Sequence, residues 1–163
     1  MPIIPGNNPE QENLPRVVVI GVGNLLMQDE GIGIHAVQAL QETDLPPDVQ
    51  LVDGGTSPDL ITYTRSGDKM IIVDAARAGG QPGDVYRFKP EDISAGKGTL
   101  TSAHEMGVAE NLKLMEMTGN QPKEVVIIGI EPGVIGWGME LSPRLQEALP
   151  RLVEIILREI NTG

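Results

Sequence analysis

Residues 16–33, RVVVIGVGNLLMQDEGIG, join a β-branched run to a glycine-rich turn and the start of an amphipathic pattern. The run Arg16–Ile20 predicts a short strand that is buried on both faces of a sheet. Gly21–Asn24 predicts a tight turn, because glycine permits positive φ and a close approach of two backbones. The amphipathic pattern predicts a helix from about Gly31 to Glu42. A strand, a turn and a helix in this order are typical of α/β proteins.

The alternation of strands and helices continues along the chain. Further strands are predicted at 49–52, 70–73, 85–88 and 124–130, and further helices at about 58–65, 106–117 and 143–160. The segment 93–103 is predicted to be a loop, and the polar pattern of the strand at 85–88 suits the edge of a sheet. We therefore expect an α/β fold, with three α/β/α layers around a twisted, mostly parallel five-stranded sheet.

Length, charge and composition limit the classes of function. A chain of 163 residues suits one domain, which we expect at residues 16–161, after a disordered tail at residues 1–15. The formal net charge of −11 argues against nucleic acid and anionic membranes as partners. No apolar run approaches the ~20 residues of a membrane helix. The absence of cysteine excludes disulfides and thiolate ligands, which fits the cytoplasm. A monomer is expected.

Acidic residues follow several of the predicted strands. Asp53 and Asp74 end two of them, and Asp29 and Glu30 follow the turn after the first. Because ligands of open α/β sheets bind outside the carboxyl ends of the strands, these acids are expected at one edge of the sheet. Each also has a structural alternative. Asp29 and Glu30 suit the capping of a helix start, Asp53 suits a turn with Gly54-Gly55, and Asp74 suits a cap for the next backbone turn.

A histidine completes a candidate metal-binding set. His104 opens a predicted helix, where a single histidine is more often a surface or capping residue. Together, however, Glu30, Asp74 and His104 offer two oxygens and one nitrogen from three separate loops. This donor set suits a borderline divalent ion and leaves coordination positions open, as in reactive or exchangeable sites. The other histidine, His35, lies in the middle of the first helix and is expected to be solvated.

Other classes of site fit the sequence less well. The dinucleotide-binding fingerprint requires a third glycine where Leu26 stands, and Asp29 and Glu30 would repel a pyrophosphate. A P-loop is not indicated, because no Gly-Lys-Ser/Thr follows the glycines. The spacing around His104 does not match the helical His-Glu-x-x-His zinc motif, and the chain has no Gly-x-Ser-x-Gly nucleophile elbow.

Several blocks occur in an order and spacing that are hard to reach by chance. They are Gly21-Val-Gly-Asn24 with Asp29-Glu30-Gly31-Ile-Gly33, Asp53-Gly-Gly-Thr56, Asp74-Ala75, His104 with Gly107, and Ile130-Glu-Pro132 before Leu141-Ser-Pro143. With these blocks the chain, from Arg16 onward, resembles the endopeptidases that mature the large subunit of nickel–iron hydrogenases. The resemblance implies a twisted sheet between helices. It also implies removal of a short C-terminal extension from the large-subunit precursor once nickel has been inserted.

The resemblance assigns roles to individual residues. It implies that Glu30, Asp74 and His104 contact the metal and that Asp53 contributes to activity. We expect the nickel to be supplied by the precursor, so that an empty precursor lacks the ion on which the protease docks. For hydrolysis, a metal-bound water and an aspartate acting as general base, Asp53 or Asp74, are both open.

Alternatives remain at the level of sequence. The chain could be a non-catalytic module or chaperone that recognises a metal-loaded partner and licenses its folding. Gly-x-Gly-Asn after the first strand also resembles the opening of peptidyl-tRNA hydrolases, but those enzymes handle tRNA and this chain is strongly acidic. Trp137, in a glycine-rich loop, would either anchor a partner or plug the loop onto the core, and plugging is the expectation.

Overall fold

The computed structural model describes residues 15–56, 60, 67–101, 105–119 and 121–162. Its strands are β1 Val17–Val22, β2 Val49–Gly55, β3 Lys69–Arg77, β4 Val85–Phe88, β5 Thr99–Leu100 and β6 Glu124–Ile130. Its helices are α1 Ile32–Gln41, α2 Pro90–Ser94, α3 Glu105–Thr118 and α4 Pro143–Asn161, and a 3₁₀ turn at Gln28–Gly31 precedes α1. Residues 1–14 of the predicted tail and nearly all of the predicted helix at 58–65 lie outside the described residues. None of the described helices is long and apolar enough to cross a membrane.

The sheet is mostly parallel, as predicted. Its strand order is β2-β1-β3-β6-β4, in which β2, β1, β3 and β6 are parallel. β4 runs antiparallel to β6 at one edge, which confirms the prediction from its polar pattern. The α/β fold is confirmed, but the sheet formed by the described residues has six strands and not the expected five. The sixth, β5, pairs with β3 and lies in the segment predicted as a loop, because a strand of two residues is too short to show a periodic pattern.

Apolar side chains cover both faces of the sheet, which gives the three expected layers. On one face, the odd-numbered residues of β1 and β3 pack against α1 and α4. On the other face, the even-numbered residues of the same strands pack against Val108 and Met115 of α3. Successive side chains of a strand point to opposite faces, so each strand contributes to both cores. β1 is buried along its whole length, which confirms a strand covered on both faces.

Asp53 and Asp74 lie inside strands and not at their ends. β2 continues to Gly55, and β3 continues to Arg77. β3 is longer than predicted because Asp74 pairs with β6 and Ala76 pairs with β5. Such pairing depends on residues that are distant in the sequence, so the local pattern does not show it. Both acids still lie towards the carboxyl-terminal edge of the sheet.

Two glycines allow α1 to lie directly on the sheet. A Cβ atom at Gly33 would overlap the backbone of Val22 in β1 and the carbonyl of Val73 in β3. A Cβ atom at Gly21 would overlap the carbonyl of Gly33. This close approach of backbones confirms the role predicted for the glycine-rich turn. The close approach places the start of α1 against β3 at Val73, the residue before Asp74.

A charged cluster lies at the amino-terminal end of β3, at the edge of the sheet opposite to Asp74. The buried ammonium of Lys69 lies 3.0 Å from Oε1 of Glu159, and it donates hydrogen bonds to the carbonyls of Glu159 at 2.7 Å and Thr162 at 3.2 Å. Arg87 binds the same Glu159 carboxylate at 2.8 Å. A cation at this position pairs with the last carbonyls of α4, where the helix dipole favours it. This cluster therefore fastens the end of α4 to the sheet.

Candidate functional site

Glu30 lies in the 3₁₀ turn before α1, and its backbone is fixed on both sides. Its N–H donates to the carbonyl of Met27 at 3.2 Å, and its carbonyl accepts the N–H of Asn24 at 3.3 Å. Gly23 has a φ of +149°, and a Cβ atom there would overlap the Glu30 carbonyl, so this turn requires glycine. Glu30 is 8% exposed, and within the described part of the chain its carboxylate accepts no hydrogen bond. A buried carboxylate of this kind suits a site that a bound cation completes.

Asp74 lies on β3 beside the turn of Glu30. It is fully buried, and its Oδ1 accepts the N–H of Ala75 at 2.8 Å. The 3₁₀ turn that carries Glu30 contacts β3, and Gly33 presses on the residue before Asp74. The structure therefore brings Glu30 and Asp74 to the same edge of the sheet, as the strand pattern predicted.

His104 lies outside the described residues, but the chain that leads to it is described. The N–H of Thr101 donates to the carbonyl of Ala75 at 2.9 Å, so the chain enters the segment that holds His104 from beside Asp74. α3 begins directly after this segment. The described residues contain no group of three or more His, Cys, Asp and Glu side chains that could hold a metal ion. Metal contact by Glu30, Asp74 and His104 therefore stays a prediction.

Asp53 is separate from this pair. It is exposed, and its Oδ1 accepts the N–H of Gly55 at 2.9 Å, which is the geometry of an Asx turn. Asp53 is in register with Gly21, which is also in register with Val73. Because side chains alternate along strands, Asp53 and Asp74 belong to opposite faces of the sheet. The geometry supports the turn-forming alternative, and a catalytic role of Asp53 stays a prediction.

Asp29 has a role that the sequence does not reveal. It is fully buried, and its Oδ2 accepts hydrogen bonds from the N–H groups of Gly133 at 2.9 Å and Val134 at 2.7 Å. Ser142 donates to the same carboxylate twice, from its hydroxyl to Oδ2 and from its N–H to Oδ1, both at 2.7 Å. Among the described residues neither the 3₁₀ turn nor α1 has a side-chain cap, so the capping alternative for Asp29 is wrong. Its carboxylate instead fastens the loop between β6 and α4 to the turn of Glu30.

His35 is not solvated, and that expectation is wrong. The residue is half-buried, and its Nε2 atom is buried without a hydrogen-bond partner among the described residues. Burial lowers the pKa of His35 below the ordinary value of 6.5. A hydrogen bond with the backbone of Met139 and the negative charge of Asp29 act in the opposite direction but are outweighed.

The lowered pKa of His35 predicts a loss of stability as the pH falls below about 7. The unfolded chain takes up a proton at His35 near pH 6.5, whereas the folded chain does so only at a lower pH. In this window the unfolded state holds more protons, so the free energy of unfolding decreases with falling pH. Urea unfolding between about pH 8 and about pH 5 should show a smaller decrease for His35→Gln than for the wild type. Equal decreases in the two proteins would contradict this effect of burial.

Trp137 is exposed, and the expectation that it plugs the loop onto the core is wrong. The side chain is 84% exposed. The loop is held instead through its backbone, because Gly138 donates its N–H to the carbonyl of Leu26 at 2.9 Å and accepts the N–H of Gln28 at 2.8 Å. The loop therefore needs no large apolar side chain to keep its place, and Trp137 remains available to a partner.

Comparisons with known proteins agree with this architecture. The family model described as hydrogenase maturation protease matches residues 34–159. The hydrogenase 2 maturation protease of Escherichia coli is 32% identical over 149 residues, which cover 90% of this chain and 91% of that protein. The hydrogenase expression/formation protein HupD of Thiocapsa roseopersicina is 35% identical over 147 residues, which cover 88% of this chain and 66% of that protein.

Solved structures show the same relationship. The hydrogenase maturating endopeptidase HybD of Escherichia coli superimposes with a TM-score of 0.81 at 31% identity, covering 90% of this chain and 92% of that one. The [NiFe] hydrogenase maturation protease HybD of Thermococcus kodakarensis gives a TM-score of 0.73 at 30% identity, covering 88% of this chain and 97% of that one. The chain therefore belongs to the hydrogenase maturation protease family and is an endopeptidase.

Proposed function

We propose that this endopeptidase removes the C-terminal extension of a nickel–iron hydrogenase large-subunit precursor after nickel has been inserted. The relatives support the class of substrate, since one is named a hydrogenase 2 maturation protease and another a [NiFe] hydrogenase maturation protease. The observation that carries the proposal is the pair of buried carboxylates, Glu30 and Asp74, at the sheet edge from which the chain leads to His104.

The proposed site contacts the nickel that the precursor carries. Glu30 and Asp74 offer oxygen donors and His104 a nitrogen donor, and this mixed set suits a borderline ion such as Ni²⁺. Since the ion is part of the substrate, an empty precursor has nothing that pairs with the two carboxylates. The Glu30 carboxylate is buried and accepts no hydrogen bond within the described residues, which is unfavourable without a cation, so the site favours the loaded precursor. Cleavage then follows nickel insertion.

Peptide hydrolysis needs a base for the attacking water. The water oxygen bonds to the carbonyl carbon, the C–N bond breaks, and the leaving nitrogen takes up a proton. A metal ion held by Glu30, Asp74 and His104 would supply Lewis-acid chemistry. Asp74, which is buried beside the turn of Glu30, is one candidate base, provided that the oxygen that takes the proton does not hold the nickel. Asp53 is the second candidate, although it is exposed and its carboxylate is engaged with Gly55.

A processing assay with nickel-loaded and nickel-free precursor tests this function. We expect the loaded precursor to lose a C-terminal fragment and the nickel-free precursor to keep its mass, both measured by intact-mass spectrometry. His104→Ala should leave the loaded precursor uncut, because one proposed nickel contact is missing. The chain has two histidines, so His35→Gln is the matched control and should process the loaded precursor like the wild type.

The remaining outcomes separate the parts of the proposal. Cleavage of both forms of the precursor would contradict the nickel dependence and leave the protease activity standing. An unchanged mass of both forms would contradict processing of this substrate. Normal cleavage by His104→Ala would exclude a role of His104 in the reaction.

A further inference from the structure

Four large apolar side chains are exposed at the carboxyl-terminal edge of the sheet. Leu26 is 52% exposed, Val134 48%, Trp137 84% and Met139 61%. We call these four residues the apolar rim. Single apolar residues on a surface are ordinary, but a contiguous apolar patch marks a site of interaction. Whether the four form one patch is decided by the contacts between their segments.

Backbone hydrogen bonds join the two segments that carry the apolar rim. Gly138 donates its N–H to the carbonyl of Leu26 at 2.9 Å and accepts the N–H of Gln28 at 2.8 Å. The N–H of Asp29 donates to the carbonyl of Val134 at 3.1 Å. These bonds set the turn with Leu26 directly against the loop that carries the other three residues. The four residues of the apolar rim therefore lie on two adjacent segments, which places them on one part of the surface.

A buried carboxylate holds the loop that carries most of the apolar rim. The buried carboxylate of Asp29 accepts hydrogen bonds from Gly133, Val134 and Ser142, at the two ends of the loop. The fold thus uses a buried charge to order a loop whose apolar side chains face water. Exposed apolar side chains give the folded chain little hydrophobic stabilisation, so the stability of the fold does not explain why the exposed side chains here are apolar. An ordered apolar surface of this kind is suited to binding.

The chemistry of the surface indicates the kind of partner. Residues 21–28 and 132–139, which carry the apolar rim, contain no charged side chain, although the chain has a net charge of −11. An uncharged patch within an acidic surface favours an uncharged, apolar segment of a partner over a charged one. The patch also borders Glu30, which follows the first of these segments after Asp29. A segment bound to the apolar rim would lie beside the proposed nickel contacts.

We propose that the apolar rim binds an uncharged, apolar stretch of the hydrogenase large-subunit precursor next to the bond that is cleaved. This inference rests on the proposed function, since it takes the same precursor as the partner. Glu30, Asp74 and His104 then sense the metal, while the apolar rim holds the polypeptide. Tryptophan at the centre of an interface often contributes a large share of the binding energy, which makes Trp137 the main anchor.

Substitutions in the apolar rim test this inference against a matched control. Met117 is 74% exposed at the end of α3, and the strand after it, β6, starts at the opposite edge of the sheet. We expect Trp137→Ala to raise the KM for nickel-loaded precursor about 10- to 30-fold and Met139→Ala to raise it about threefold. The kcat should change less than about twofold in both, because the nickel contacts remain. Met117→Ala should have the wild-type KM.

The outcomes distinguish failure of the apolar rim from failure of the proposed function. Wild-type KM values for Trp137→Ala and Met139→Ala would overturn the apolar rim and leave the processing activity intact. If the wild type does not cut the loaded precursor, the proposed function fails. Binding to immobilised precursor then tests whether the apolar rim contacts the precursor. Binding by the wild type and by Met117→Ala that is weaker in Trp137→Ala would support the apolar rim as the binding surface. Equal binding by all three proteins, or no binding by any of them, would overturn it. A wild-type dimer that Trp137→Ala converts to a monomer would also overturn it, because a second copy would then be the occupant.

Discussion

Glutamine in place of Glu30 is expected to lower kcat/KM for cleavage of the nickel-loaded precursor by about 100-fold or more. The substitution keeps the size of the side chain and removes the negative charge that attracts the cation. Loss of a residue that only orients a metal ligand already lowers metal affinity or activity about 10- to 100-fold. Glu30 is proposed to contact the ion itself, so its effect should be at least as large.

The folded structure should tolerate this change. Within the described residues the Glu30 carboxylate accepts no hydrogen bond, and the backbone bonds to Met27 and Asn24 do not involve the side chain. No neighbouring donor loses a partner, and the substitution removes a buried charge, which offsets the burial of the new amide N–H groups. The free energy of unfolding of Glu30→Gln should therefore stay within about 0.5 kcal/mol of the wild type or rise slightly. Urea unfolding then separates a loss of activity from a loss of fold.

Two further variants sharpen the test of Glu30. Glu147→Gln makes the same change at an exposed position on α4 and should leave kcat/KM within about twofold of the wild type. Glu30→Asp keeps a carboxylate and should retain more activity than Glu30→Gln. Wild-type cleavage by Glu30→Gln would exclude Glu30 from contact with the nickel.

Local sequence pattern is sufficient for elements whose burial repeats within a few residues. The run that predicts β1 is buried throughout in the structure. The helices predicted at 106–117 and 143–160 correspond to Glu105–Thr118 and Pro143–Asn161. Pro143 at the first position of α4 and the apolar stripe that follows are both local signals. Strands that alternate with such helices can hardly form anything but a mostly parallel sheet.

Features that depend on distant partners could not be inferred in this way. The carboxylate of Asp29 binds groups 104 to 113 positions later in the chain, and no local pattern indicates them. β5 exists because it pairs with β3, and the loop with the exposed Trp137 is held through the backbone of Gly138. The strand pattern does place Glu30 and Asp74 at the correct edge, since the carboxyl ends of parallel strands meet there. The metal contact predicted for His104 rests on its residue type and on the family resemblance, and the strand pattern does not place it.

Asp29→Asn is expected to lower the free energy of unfolding by about 3 kcal/mol. Oδ2 of Asp29 accepts three hydrogen bonds and Oδ1 accepts one. An amide has a single oxygen, so its NH₂ group must face at least the N–H of Ser142. One buried donor is then left unpaired, at about 1–3 kcal/mol, and the other bonds no longer end on a charge. Hydrogen bonds to charged groups contribute about 1.5–3 kcal/mol each, so their weakening adds to the loss.

Urea unfolding of a small set of variants isolates the contribution of Asp29. Asp84→Asn is the matched control, because Asp84 accepts one N–H in an exposed turn, and its change should stay below about 0.5 kcal/mol. Ser142→Ala removes only the hydroxyl bond to Oδ2 and should lower the free energy of unfolding by about 1 kcal/mol. Since Asp29 and Ser142 share bonds, the double variant should lose less than the sum of the single losses. Additive losses would mean that Asp29 and Ser142 act independently of each other. An effect of Asp29→Asn below about 1 kcal/mol would mean that backbone bonds alone hold the loop beside Glu30.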